Sequence, residues 1–200
     1  MDKKLHIIVL SYQRVIPLRI VIDCFICQTY PHWRMTIIHD GKAPEELKSV
    51  VNSYKYDSRI SFIETDTLNG DFGFPNRKMM LEKADPADGE YLLFCADDSY
   101  YVPRFVEYML SATSNDVGIV YCDMVHSHIG HDVLKGELKI NHVDMGSFIV
   151  RVDLAKRTGF NFTKDNVYYA DGVFAEECYA EGQRTGLRSE YIAKPLFCHN

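Results

Sequence analysis

Compact apolar runs alternate with amphipathic stretches through the first half of the chain. His6-Ile7-Ile8-Val9-Leu10 has the apolar density of a strand buried on both faces. Ser11-Tyr12-Gln13-Arg14 follows as a polar loop. Pro17 then opens a stretch with Leu18, Val21, Ile22, Phe25 and Ile26 at helical spacing, which Tyr30-Pro31 breaks. Residues 33–38 predict a second strand, ended by His39-Asp40-Gly41, and residues 44–54 a second helix. A third strand is expected over 60–63. A glycine-rich loop, Asn69-Gly70-Asp71-Phe72-Gly73-Phe74-Pro75, leads into a helix over 76–84. The run Tyr91-Leu92-Leu93-Phe94-Cys95-Ala96 is the fourth strand. It ends on Asp97-Asp98, and a helix over 102–112 follows with Pro103 near its start.

Strictly alternating strands and helices indicate a parallel sheet covered by helices, with right-handed connections. Such sheets bind ligands beyond the carboxyl ends of their strands. Tyr12, Asp40 and Asp97-Asp98 all fall on that edge. The second half is less regular. It reads as a strand over 118–123, a loop or hairpin over 125–139, strand character over 144–150 and a short helix over 152–158 ended by Gly159. A helix over 171–181 ended by Gly182 and a last strand over 192–198 complete it. Neither a repeat nor a linker interrupts the pattern, so residues 1–200 are expected to form one domain.

Composition narrows the class. The chain has 200 residues, 46% hydrophobic and 25% charged, which suits a soluble globular domain able to bury a sizeable core. A net charge of -6 argues against general affinity for a nucleic acid backbone, which requires a basic face. The apolar run at 6–10 is too short for a signal-peptide core, and no stretch approaches the roughly 18 apolar residues of a membrane span. Six scattered cysteines sit mostly inside apolar runs and are expected to be reduced thiols of a cytoplasmic protein. Cys24-x-x-Cys27 lies in a helical pattern with no second pair to close a zinc site, so it reads as packing.

Two adjacent carboxylates directly after a buried strand are costly without a partner. A divalent cation held by one carboxylate and by substrate phosphates would supply one. A turn capping the next helix is the competing reading of Asp97-Asp98-Ser99. Arg14 and Arg77 carry forked donors suited to phosphate, and Arg77 follows the glycine-rich loop at a helix start, where free backbone N–H groups also attract anions. For each, a solvated surface cation is the alternative. His126-Ser127-His128 and His131 have no thiolate or carboxylate at a familiar spacing. They read as a polar loop near the cleft rather than a zinc site.

Taken together, these segments resemble family 2 glycosyltransferases. Ile7-Ile8-Val9-Leu10-Ser11-Tyr12-Gln13-Arg14 is similar to the family's opening strand and loop, and Gln28-Thr29-Tyr30-Pro31-His32-Trp33 to the segment before its second strand. His39-Asp40-Gly41 resembles its DDGS turn, with His39 standing where the first Asp is usual. Asp88-Gly89-Glu90-Tyr91 through Asp97-Asp98 resembles its stretch ending in an Asp cluster. Weaker likenesses continue through 144–151 and 169–177.

The resemblance implies a GT-A fold, an α/β, Rossmann-like, mostly parallel sheet flanked by helices. Residues 1–112 would form the nucleotide-sugar-binding half and 113–200 a smaller acceptor-side half. It further implies a nucleotide diphosphate sugar as donor, UDP-linked by preference, Mn2+ or Mg2+ as cofactor, and inversion at the anomeric carbon. The acceptor would be a saccharide, lipid-linked or protein hydroxyl. Asp98 would then contact the metal, with His199 as an additional ligand. Asp97 would meet ribose or sugar, and Ser11, Tyr12, Arg14, Asp40 and Arg77 would line the donor site. Asp144 would bind acceptor hydroxyls unless it merely shapes a turn. Asp171 would be the general base, its pKa raised by shielding from Tyr168 and Tyr169, with a plain helix N-cap as the alternative and Glu176 or Glu177 as substitutes. Two rival readings are a nucleotidyltransferase, disfavoured because Ser11-Tyr12-Gln13-Arg14 is not a glycine-rich basic signature, and an inactive nucleotide-sugar-binding domain.

Overall fold

A computed structural model describes residues 3–163 and 165–200. The alternating first half folds into β1 (Leu5–Ser11), α1 (Val15–Ile26), β2 (Trp33–His39), α2 (Glu45–Asn52), β3 (Ile60–Glu64), α3 (Phe74–Lys83) and β4 (Tyr91–Ala96). The second half comprises β5 (Ser99–Tyr101), α4 (Phe105–Ser111), β6 (Val117–His126), β7 (Asp132–Leu134), β8 (Phe148–Arg151), α5 (Val152–Thr158), α6 (Ala170–Arg184) and β9 (Arg188–His199). The strands form one sheet in the order β3-β2-β1-β4-β8-β6-β9-β5, with β7 pairing β6 off that path. The first four run parallel, β8 runs antiparallel to both β4 and β6, and β9 lies parallel to β6.

All seven residues of β1 are buried, as its apolar run requires. Successive residues of the central strands point to opposite faces and feed two cores. Leu5, Ile7 and Val9 join Leu18, Ile22 and Phe25 of α1, Leu47 of α2 and Phe105 and Met109 of α4. Ile8 and Leu10 join Met80 and Leu81 of α3, Leu154 of α5 and Phe174 and Cys178 of α6. Among the described residues no helix is long and apolar enough to cross a membrane.

Several boundaries move from their expected places. α1 begins at Val15, so Pro17 lies inside its first turn, where a missing N–H costs nothing. The helix expected over 102–112 shortens to α4, and residues 99–101 before it form β5 against the end of β9. The strand expected over 144–150 divides into a 3-10 turn, Met145–Ser147, and β8. β9 is twelve residues long, with register shifts against β6 near Cys122 and Asp123. The far end of β9 lies between β6 and β5, with His199 opposite both His126 and Ser99.

His6 is a buried residue of β1. Its Nε2 lies 2.9 Å from Thr36 Oγ1, and its Nδ1 has no hydrogen-bond partner. Burial, reinforced by Arg34, lowers its pKa to about 4. Between that value and about 6.5 the unfolded chain binds a proton that the folded chain does not, so stability falls as pH drops through the interval. The shift corresponds to a loss on the order of 3 kcal/mol. His6→Gln, which keeps a donor toward Thr36, should therefore lose less stability than wild type between pH 7 and pH 4. Urea unfolding at the two pH values measures the difference, and parallel losses would contradict it.

Candidate active site

A cleft of about 830 Å³ opens beyond the carboxyl ends of β1, β2 and β4. All ten residues singled out from the sequence line it: Ser11, Tyr12, Arg14, Asp40, Arg77, Asp97, Asp98, Asp144, Asp171 and His199. They come from both halves of the chain and are brought together by the sheet.

The Asp97-Asp98 pair sits in the turn between β4 and β5. The Tyr12 N–H donates to Asp97 Oδ2 at 2.8 Å. Gln13 adopts a left-handed conformation, φ 58, which turns the chain so that the Arg14 guanidinium reaches Asp97 Oδ1 at 3.4 Å and pairs closely with Asp98 Oδ2. The doublet thus has a cationic partner within the chain itself, supplied by Arg14. Asp98 Oδ1 is nevertheless buried with no hydrogen-bond partner, leaving one carboxylate oxygen open to a ligand. Burial raises the Asp97 carboxyl to about 6, outweighing the Tyr12 N–H and the Arg14 charge.

Asp40 is committed to the glycine-rich loop. Its Oδ1 accepts from Asn69 N–H at 2.9 Å and Asn76 Nδ2 at 3.0 Å, and its Oδ2 accepts from Gly70 N–H at 2.9 Å. Asn76 is fully buried and was not singled out from the sequence. The loop runs through consecutive positive φ angles at Gly70, Asp71, Phe72 and Gly73. Asp71 and Phe72 carry side chains in a region that glycine prefers, so Asp40 and Asn76 hold a strained segment in place. This conformation exposes Phe72, whose ring lies 5.2 Å from that of Tyr168 at the rim of the cleft.

Arg77, in the first turns of α3, is buried rather than solvated, with 6% of its surface exposed. Its Nη1 donates to the Phe72 carbonyl at 2.9 Å, its guanidinium lies 4.8 Å from the centre of the Phe74 ring, and its Nε has no partner. Its charge opposes the rise in pKa that burial imposes on both Asp144 and Asp171.

Asp171 lies inside the first turn of α6, and Tyr169 occupies the cap position, so Asp171 is not the N-cap. Its Oδ2 receives a long contact from Met145 N–H at 3.4 Å, while Oδ1 is buried and unpartnered. Burial, followed by the Asp144 charge, pushes its pKa up to about 6. Of the two tyrosines expected to shield it, Tyr168 is 80% and Tyr169 50% exposed, and both line the same cleft. The next residue, Gly172, packs against the loop before the turn: a Cβ there would come within 2.4 Å of the Ile140 Cα. Glu176 accepts from Ile140 N–H at 3.0 Å and Glu177 from Asn161 Nδ2 at 3.3 Å, so both pin loops rather than line the cleft.

Asp144 caps the 3-10 turn before β8. Its Oδ1 accepts from Gly146 N–H at 2.8 Å, and Ser147 Oγ receives the Asp144 N–H. Its Oδ2 lies 4.0 Å from His199 Nε2. The His199 ring stacks on that of His126 at 4.5 Å, and His128 is 5.8 Å away. The histidine loop therefore does meet a carboxylate, from a segment 18 residues beyond His126, which spacing along the chain did not reveal.

Comparison with known proteins fits this geometry. The sequence profile of Glycosyl transferase family 2 matches residues 6–176. The chain belongs to that family. Among curated proteins, this family 2 chain is 28% identical to Protein CgeD of Bacillus subtilis (strain 168) over 117 residues, 58% of its own length and 27% of that protein. S. aureus TarS superposes with a TM-score of 0.76 at 16% identity, covering 98% of this chain and 36% of TarS. TarS 1-349 in complex with UDP-GlcNAc gives 0.77 at 15%, covering 98% and 58%. The mannosyltransferase PcManGT from Pyrobaculum calidifontis, in complex with GDP-Man and Mn2+, gives 0.74 at 13%, covering 99% and 57%. At these identities the structural likeness establishes the fold, a GT-A-type α/β sheet with flanking helices. The chain spans 27% of the curated relative and 36% to 58% of the structures compared.

Asp40→Ala removes a charged acceptor of three hydrogen bonds and should cost about 3 kcal/mol in urea unfolding. It should also accelerate amide exchange at Asn69 and Gly70. Exchange as slow as in wild type would show that the loop holds itself.

Proposed function

We propose that the chain transfers a sugar from a nucleotide diphosphate donor, UDP-linked by preference, to an acceptor hydroxyl with inversion. Residues 1–112 would serve the donor and residues 113–200 the acceptor. The observation that carries this reading is Asp171: an unpartnered carboxylate oxygen, a pKa raised to about 6, and a position in the same cleft as the Asp97-Asp98 doublet. TarS 1-349 is known with UDP-GlcNAc and PcManGT with GDP-Man and Mn2+, and the donor class is extended from them to this chain.

In this reading Tyr12, 45% exposed and 6.0 Å from the His39 ring, offers a face for the nucleotide base. Ser11, whose Oγ is buried without a partner, and Asp97 line the ribose and sugar. Arg14 and Arg77 receive the diphosphate, because their guanidinium forks match its oxygens. Asp40 acts by ordering the loop that walls this pocket. Asp98, with its free Oδ1, and His199 would hold Mn2+ or Mg2+, whose chemistry is to neutralise charge developing on the departing diphosphate. Asp144 would bind hydroxyls of a saccharide, lipid-linked or protein acceptor.

The step itself balances simply. The acceptor oxygen forms a bond to the anomeric carbon as the bond from that carbon to the diphosphate breaks. The hydroxyl proton passes to Asp171 Oδ1. A base with pKa near 6 is mostly ionised at neutral pH yet not far below it in basicity, the range in which general-base catalysis is most effective.

The rate with a nucleotide-sugar donor should fall about tenfold per pH unit below about 6, as Asp171 becomes protonated. Asp171→Asn should cut transfer by about 10²- to 10⁴-fold while leaving the thermal shift induced by UDP intact. Transfer at the wild-type rate would assign the base elsewhere. Asp98→Ala should abolish the manganese-dependent part of that shift. A shift with the same manganese dependence as wild type would remove Asp98 from the metal site.

A further inference from the structure

Three chain segments far apart in sequence place nitrogen and oxygen donors around one point of the cleft. His126 ends β6, Asp144 precedes the 3-10 turn before β8, and His199 ends β9. One ligand atom from each lies within 4.8 Å of the others. His126 and His199 are direct partners in the parallel pairing of β6 with β9, so their side chains project side by side by sheet geometry. We infer that His126, Asp144 and His199 form a cation site that selects borderline divalent ions such as Co2+ or Zn2+ over Mg2+. The inference deepens the proposed function. It replaces His199 as an isolated accessory ligand by a three-residue set, and it assigns Asp144 to the ion rather than to the acceptor.

The hydrogen bonds around the three residues support this assignment. Ser127 Oγ sits 3.3 Å from His199 Nδ1, which leaves Nε2 facing Asp144. The Gly146 N–H occupies Asp144 Oδ1 and leaves Oδ2 facing His199. The two free atoms stand 4.0 Å apart, beyond hydrogen-bond distance. Ligands of one ion with bonds of ~2.1 Å lie roughly 3 to 4 Å apart, so small side-chain rotations close the set. A partner holding the second ring nitrogen of a ligating histidine is what metal sites commonly provide. His126 Nδ1 accepts the His128 N–H at 3.2 Å, a long bond that coordination through that atom would replace.

The donor set decides the ion. Mg2+ takes oxygen ligands and keeps much of its water. Two imidazoles and one carboxylate favour later divalent ions and leave further positions open for phosphate oxygens. The Asp97-Asp98 doublet contributes oxygen alone and is already paired with Arg14. Ligand preference measured without nucleotide therefore distinguishes the two places.

The test titrates metal-free protein, without nucleotide, with Co2+ and with Mg2+, read by calorimetry and by visible absorption of bound Co2+. One Co2+ per chain is expected, with absorption bands of nitrogen ligation and an affinity at least about tenfold above that for Mg2+. His126→Gln and His199→Gln should each weaken Co2+ at least about tenfold, and more than Asp98→Asn does. Asp144→Asn, which preserves shape and the Gly146 bond, serves as a second probe should a histidine variant melt early. Failure to bind Co2+, equal affinity in the His126, His199 and Asp144 variants, or loss confined to Asp98→Asn would each overturn the site. A parallel arm measures the thermal shift with UDP and Mg2+. A shift there without Co2+ binding refutes this site and leaves the glycosyltransferase reading standing.

Discussion

Four carboxylates, besides the loop-bound Asp40, share one partly enclosed cleft, and two guanidiniums stand among them to offset their charge. Asp97, Asp98, Asp144 and Asp171 approach from the end of β4, the turn before β8 and the start of α6. Desolvation disfavours the ionised forms of Asp97, Asp144 and Asp171, and neighbouring like charge adds to it. Asp97 and Asp171 are both pushed to about 6, with burial as the leading cause. Two guanidiniums oppose this. Arg14 clasps the doublet, and the buried Arg77 draws down the pKa of Asp144 and Asp171. With Asp40 counted, five ionised acids against two guanidiniums leave the cleft three charges negative. A metal bound to a nucleotide diphosphate fits such a place because each satisfies what the other leaves over. The ion answers the carboxylates, and the phosphates answer the arginines.

The sheet delivers these groups with little help from long loops. The parallel strands β1, β2 and β4 end in Ser11, His39 and Ala96, just before the residues that line the donor side. β8 and β9 reverse or extend the sheet so that groups from residues beyond 140 return to the same edge. Close backbone approaches fix the result. Gly146 lies where a Cβ would come within 2.5 Å of the Phe197 ring, and Gly172 lies against Ile140. A small displacement at either place would move Asp144 or Asp171, so packing of the second half and geometry of the acidic cluster are one problem.

Much of this was legible in the amino-acid order. The four parallel strands announced themselves as apolar runs, and the polar residues after them were read correctly as one edge. Local signals reached that far because each strand's character is set by its own side chains. They reached less far where pairing is non-local. β5 is only three residues long and exists because β9 runs beside it, so nothing in Ser99-Tyr100-Tyr101 alone marks it. The partnership of His126 with His199 depends on parallel register between distant strands, and residue spacing does not encode that. Arg14 as the doublet's resting partner depended on a left-handed Gln13, an uncommon conformation that composition does not signal. The packing of Gly172, beside Asp171, depends on loop backbone more than thirty residues earlier in the chain, at Ile140, which local patterning does not signal.

The most direct measurement is a crystal structure of this chain grown with Mn2+ and a UDP-sugar. The expected result has the diphosphate in the acidic cleft, its metal within coordination distance of Asp98, Arg14 turned from the doublet toward phosphate, and Asp171 facing the anomeric carbon from the side opposite the leaving group. A nucleotide bound outside this cleft, or bound within it while Arg14 still clasps Asp97 and Asp98 and no ion touches either carboxylate, would contradict it.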